Sequence, residues 1–100
     1  MKSRNEFGRL LNDNKCTIGA EIGVKEGFFS KIITDVYKGN IIGVDIWDDQ
    51  GDYQQAQENY KSLNGRMIQG RSTDVAKEFA DESLDWVYID ADHSYKAYIS

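Results

Sequence analysis

A chain of 100 residues with formal net charge −5 and 29% charged side chains has room for a single small domain with one core, and none for a large α/β fold. No apolar run approaches the roughly 18 residues of a membrane span, "MKSRNEFGRL" has no signal-peptide core, and no block of Lys or Arg offers a surface to phosphates, so neither a membrane nor a nucleic acid is an expected partner. The only cysteine, Cys16, excludes an internal disulfide and a thiolate-rich metal site, and a reducing, cytoplasmic location is expected.

In chain order, "NEFGRLLN" reads as a short opening helix and "CTIGAEIGV" as a buried strand. Phe28, Phe29, Ile32, Ile33 and Val36 recur at helical spacing in "FFSKIITDVY", and Gly39 is expected to end that helix in a left-handed conformation. "NIIGVDIW" is a second apolar strand. Tyr53, Ala56, Tyr60 and Leu63 mark one face of a polar helix that closes at Asn64-Gly65. "RMIQG" is a third strand, "TDVAKEFA" a third amphipathic helix capped by Thr73 or Asp74, and "LDWVYID" a fourth strand. The chain reaches Ser100 inside "SYKAYIS", which reads as the next helix. Strands alternating with helices predict an α/β fold: a doubly wound, Rossmann-like parallel sheet, truncated after about its fourth strand. A fourth strand without a neighbour leaves an open edge. Either a partner, such as a second copy in a homodimer, covers it, or residues 1–100 are part of a longer protein.

Ligands of such folds bind at the carboxyl ends of the strands, where the strand order reverses. Gly19 lies within the first strand, while Gly23 and Gly27 fall where the backbone turns tightly and lets a ligand approach. Glu21 is expected to face that crevice and accept hydrogen bonds from a cationic or hydroxylated ligand; the alternative is a carboxylate solvated at the sheet's end. Asp45 follows "IIGV", 22 residues beyond Gly23, where an acid holds the two ribose hydroxyls of a nucleoside. Its other reading is a carboxylate that caps the loop "DIWDDQGD". A nicotinamide dinucleotide fits less well, because the turn reads G-x-x-x-G-x-x-x-G with an acid inside it, and that acid would repel a pyrophosphate. A ligand with an amino group and a sulfonium, and no phosphate, suits Glu21 better.

"AEIGVKEGFFS", "IIGVDIW", "GRSTDVA" and "DWVYIDADHSY", in this order, resemble the class I S-adenosylmethionine-dependent methyltransferases. The likeness spans about residues 15 to 98 and is strongest to the small-molecule branch with the catechol and caffeoyl-coenzyme A O-methyltransferases. The resemblance implies that Glu21, Gly23 and Gly27, with Ser30 as a weaker candidate, line the methionine part of S-adenosylmethionine. It implies further that Asp45 holds the ribose, that Ile46 or Trp47 packs on the adenine, and that Ser72 and Thr73 bond the adenine edge unless they only cap a helix. Asp90 matches a cofactor-facing aspartate that ligates a divalent cation, Mg²⁺ or Ca²⁺ by its oxygen chemistry. His93 matches the position of a general base that is lysine in the catechol enzymes. The other reading of Asp92 and His93 is that they cap the helix "SYKAYIS".

Methyltransferases of this class have seven strands in the order 3-2-1-4-5-7-6, and the resemblance covers the first four. The expectation is therefore the N-terminal portion of an enzyme that moves a methyl group to a small-molecule acceptor, through a hydroxyl oxygen. The alternative is a catalytically inactive Rossmann-like binding or assembly module.

Overall fold

Side chains alternate between the faces of a strand, so a run such as Gly19, Ala20, Glu21, Ile22 sends its members to two different environments. In the computed structural model, which describes residues 4–71, 84–91 and 94–99, that alternation organises the fold. The elements are α1 (Arg4–Asp13), β1 (Ile18–Ile22), α2 (Phe28–Thr34), β2 (Asn40–Asp45), α3 (Gln50–Tyr60), β3 (Gly65–Gln69), β4 (Trp86–Ala91) and β5 (Ser94–Ile99). They form one five-stranded sheet in the order β3-β2-β1-β4-β5. The first four strands are parallel, and β5 is antiparallel to β4. The fold is α/β and Rossmann-like, and the order of its four parallel strands is the one the resemblance implies.

Gly19, Glu21, Gly43, Trp86 and Tyr88 share the face on which α1, α2 and α3 pack. Phe7 and Leu11 of α1, Phe29 and Ile33 of α2, and Ala56 and Tyr60 of α3 join Ile41, Trp86 and Tyr88 in that core. Leu11 and Ile33 have no exposed surface, and each such burial contributes roughly 1.5–3 kcal/mol. The Trp86 indole crosses directly over Gly19, where a Cβ would stand 1.9 Å from it, and Phe7 and Tyr37 meet that indole edge-on, each with ring centroids 5.5 Å away. Cys16 belongs to the same core, and burial, then the charge of Asp85, raises its thiol pKa. On the opposite face Ala20, Ile42 and Val44 are buried, with Ile18, Ile22, Ile68 and Leu84 packed against them. The helix expected over 73–80 lies outside the described residues. Among the described residues, no helix is long and apolar enough to cross a membrane.

Three local expectations are corrected. Helix α2 ends at Thr34, whose hydroxyl turns back to the Ser30 carbonyl at 2.8 Å. Gly39 is not its left-handed terminator; among the described glycines only Gly23 and Gly27 have positive φ. Gly39 is needed for space, because the Tyr37 hydroxyl, which donates to the Asn40 carbonyl at 3.0 Å, would lie 2.2 Å from its Cβ. Residues 94–99 of "SYKAYIS" form a strand. Lys96 and Tyr98 are exposed while Ile99 packs on the core, a two-residue period, and β4's open backbone groups reward pairing more than a single helical turn would. β4 therefore has neighbours on both sides, which moves the open edge that suggested a homodimer from the fourth strand to β5. It also leaves Asp92 and His93, themselves outside the described residues, with no helix in 94–99 to cap.

At the amino end of the sheet Asp85 ties β4 to the start of β1. One carboxylate oxygen accepts the amides of Thr17 at 2.8 Å and Ile18 at 3.2 Å, and the Thr17 hydroxyl at 3.0 Å. The Thr17 amide, then that of Ile18 and the Thr17 hydroxyl, hold its pKa below the ordinary 3.8. A depressed carboxyl pKa means that Asp85 stabilises the fold above pH 3.8 and that this contribution is lost as pH falls through the lower folded value. Asp85→Asn is expected to lower the melting temperature at pH 7 and to flatten the acid side of the stability profile below about pH 4, measured by circular dichroism.

Candidate functional site

The register of the sheet lines up its acids. Glu21 of β1 lies opposite Gly43 of β2 and Tyr88 of β4, and Ile22 lies opposite Val44 and Ile89. One residue further, at the carboxyl ends, the three central strands offer Asp45, Gly23 and Asp90 in a row. The two acids thus flank a centre without a side chain. Gly23 cannot carry one, since its φ is 90° and a Cβ would fall 2.4 Å from the Asp90 carbonyl oxygen. The chain leaves β1 here for β2 on one side, with β4 on the other, which is the switch point where α/β sheets hold ligands.

One level below the row, Glu21 is only 1% exposed. A charged carboxylate at that depth requires hydrogen-bond donors. The Ser30 hydroxyl of α2 donates to it, and the Tyr60 hydroxyl of α3 lies 2.8 Å from Ser30 Oγ. Ser30 has a single proton and gives it to Glu21, so Tyr60 is the donor in the second bond. Burial, then the Glu21 charge, drives the Tyr60 pKa up, with partial relief from Ser30, and the phenol keeps its proton. Tyr60 fits because position 43 is glycine: a Cβ there would lie 2.3 Å from the phenol oxygen. Glu21 is thus neither solvated nor on the crevice surface; it lies beneath the glycine turn, with Ser30 beside it.

The turn from Gly23 to Gly27 is pinned group by group. The Gly23 amide donates to the Val44 carbonyl at 2.8 Å, the Gly27 amide to the Val24 carbonyl at 3.1 Å, and the Asn59 side chain to the Glu26 carbonyl at 2.6 Å. Val24 is buried in the core below. Gly27, at φ 83°, starts α2 in a left-handed conformation that glycine adopts without strain.

Asp45 closes the site on the β2 side. Its Oδ2 accepts the Lys25 amide at 2.8 Å and its Oδ1 the Trp47 amide at 2.9 Å. One amide per oxygen leaves acceptor capacity on both, which suits a diol. Capping of α3 falls to Asp49, which accepts the Asp52 amide at 3.0 Å. Lys25 and Trp47 both stand at positive φ, 55° and 54°, at a cost of roughly 1–2 kcal/mol each. Ile46 is 46% exposed, whereas Trp47 is buried against Tyr53, ring centroids 5.3 Å apart. Of the two side chains expected against an adenine, Ile46 is at the surface and Trp47 is in the core.

Asp90 is half-buried at the end of β4. Among the described residues there is no group of three or more His, Cys, Asp or Glu that could hold a metal ion. Ser72, Thr73 and His93 lie outside the described residues. A cavity of about 420 Å³ between Lys31, Lys38 and Leu63 is at the opposite, amino end of the sheet, away from this chemistry. Sequence reasoning missed the parts played by Tyr60, Asn59 and Lys25. Tyr60 read only as one face of a helix, and no local signal ties it to Gly43, 17 positions earlier.

A family model described as a methyltransferase domain matches residues 20–100. Among solved structures, the chain resembles an O-methyltransferase from Bacillus cereus in complex with SAH (18% identity, TM-score 0.73, 89% of this chain and 44% of that one). It also resembles the O-methyltransferase TomG from Streptomyces achromogenes in complex with SAM (15%, 0.69, 88% and 43%). A third is the SAH-bound methyltransferase PaMTH1 from Podospora anserina (20%, 0.68, 91% and 42%). At these identities the likeness is one of fold, and the chain spans less than half the length of each. No curated protein matches it.

The Tyr60–Gly43 fit has a measurable consequence. Tyr60→Phe is expected to lower stability by about 1 kcal/mol and Gly43→Ala by about 3 kcal/mol. Urea unfolding of the double variant should show less than the sum, because the nearest of the three atoms that obstruct the new methyl is gone, while the ring carbon at 2.7 Å and the Val24 methyl at 2.9 Å remain.

Proposed function

This chain belongs to the methyltransferase-domain family, and on that premise we propose that it binds S-adenosylmethionine at the row Asp45, Gly23, Asp90 and serves methyl transfer to a hydroxyl of a small-molecule acceptor. When bound, the cofactor supplies an electrophilic methyl group on a sulfonium. Everything else is the work of the chain's own residues.

The observation that carries this reading is Asp45. It ends β2 beside a glycine that cannot bear a side chain, and each of its oxygens is held by one amide with acceptor capacity left over. That donor set fits two vicinal ribose hydroxyls. Ile46 offers an apolar surface for the adenine, with Ser72 and Thr73 assigned to the adenine edge. Gly23 and Gly27 let the amino-acid end of the cofactor approach the backbone. Beneath them Glu21 contributes negative charge, and its burial strengthens the attraction to a cationic ligand. Ser30 acts through Glu21.

Acceptor chemistry falls to the β4 end. Asp90 faces the glycine turn, and His93, three residues on, is assigned the proton of the attacking hydroxyl. An acidic crevice without a basic patch favours a small acceptor over a nucleic acid. No step is assigned to a metal.

Calorimetric titration with S-adenosylhomocysteine tests the reading. The chain is expected to bind it saturably, and Asp45→Asn, which keeps the shape and removes the charge, to weaken binding about tenfold or more. A folded chain that does not bind would overturn the proposal.

A further inference from the structure

Trp47 is buried, yet it stands at a left-handed φ of 54° that tryptophan rarely adopts. Its indole N–H donates to the Lys25 carbonyl at 2.7 Å. Lys25, also left-handed, turns its own amide onto Asp45 Oδ2, and the Trp47 amide holds Oδ1. The three bonds close a ring: Lys25 to Asp45, Asp45 to Trp47, and Trp47 back to Lys25. The ring joins the glycine turn after β1 to the loop after β2, and Asp45 is its only acid.

Two left-handed residues side by side in space are unfavourable alone and persist where surrounding structure holds them. Val24 anchors one end of the turn in the core, and the Trp47 ring, packed on Tyr53, anchors the other. The indole N–H is the one side-chain donor on the Lys25 carbonyl among the described residues. Without it Lys25 is free to leave the left-handed region and withdraw its amide from Asp45.

We propose that Trp47 is a positioning residue for the ribose subsite: its indole N–H locks Lys25 in the left-handed conformation that fixes the rotamer of Asp45. The inference rests on the reading of Asp45 as the ribose acceptor and adds a residue that touches no part of the ligand. Its effect falls first on the ribose hydroxyls, because Asp45 is the ring's one carboxylate; Glu21 is outside the ring, and Ile46 is spanned by it through the backbone only.

The test replaces Trp47 in the full chain with 3-benzothienylalanine, which keeps the indole shape but has no N–H; Trp47→Phe is the genetic counterpart. Two readouts are taken on chains shown to be folded. Without ligand, hydrogen exchange of the Lys25 amide is expected to quicken at least about fivefold while that of the Gly23 amide stays unchanged; a loss of one hydrogen bond is of this size. With ligand, the affinity for S-adenosylhomocysteine is expected to fall about three- to tenfold, and that for its 2′,3′-dideoxy analogue to stay within about twofold. An unchanged Lys25 amide, or an equal loss on both ligands, overturns the inference, the second outcome marking Trp47 as a general packing residue. If the unsubstituted chain binds neither ligand, the cofactor reading fails first, and the exchange experiment still decides whether Trp47 holds Lys25.

Discussion

A carboxylate sealed inside a sheet has to be matched by donors, and the carboxyl end of this molecule is arranged around the Glu21 side chain. Ser30 of α2 donates to it, and Tyr60 of α3 backs Ser30 from 2.8 Å away. A chain of two hydroxyls thus ties both helices to the central strand through one acid. The same bonds set the height of the glycine turn, since Gly23 is two residues beyond Glu21 on the same strand. Gly43 is part of the same device, because any side chain there would occupy the place of the Tyr60 hydroxyl.

Strain is gathered just above this support. Lys25 and Trp47 both occupy a backbone region that disfavours side chains, and both aim their amides at Asp45. The cost is borne locally by hydrogen bonds and by the buried indole. The result is a carboxylate of fixed orientation, and for the ribose proposed to bind there little conformational entropy would remain to be lost. At the opposite end of the sheet Asp85 clips β4 to β1 through two amides and a hydroxyl, and a third left-handed residue, Lys15 at φ 59°, leads the chain into that clip.

Much of the fold was legible because its signals are local. Ile18–Ile22 and Asn40–Asp45 read as strands from β-branched runs, and the α3 face of Ala56 and Tyr60 from helical spacing. The glycine turn at 23–27 and the acid at the end of β2 were legible as neighbours at the carboxyl end of the sheet from their spacing. Three features were read differently from the sequence. Gly39 resembles a helix terminator in sequence but is demanded by the Tyr37 hydroxyl. Residues 94–99 of "SYKAYIS" carry enough alternation for a strand and enough apolar residues for a helix, and only the open edge of β4 decides between them. Glu21 was read at the crevice surface because spacing gives its strand position and not its depth.

The sequence by itself determined the order of elements from α1 to β3 and the strand character of β4, the glycine turn after β1, and which strand ends carry acids. These follow from residue type and period, which act within a few positions along the chain. Only the tertiary structure decided that Glu21 is buried against Ser30 and Tyr60, that Ile46 is outside and Trp47 inside, and that Lys25 serves Asp45 from 20 residues away. Each of those depends on two segments meeting across a sheet or a helix face, and side-chain depth is a property of that meeting rather than of either segment.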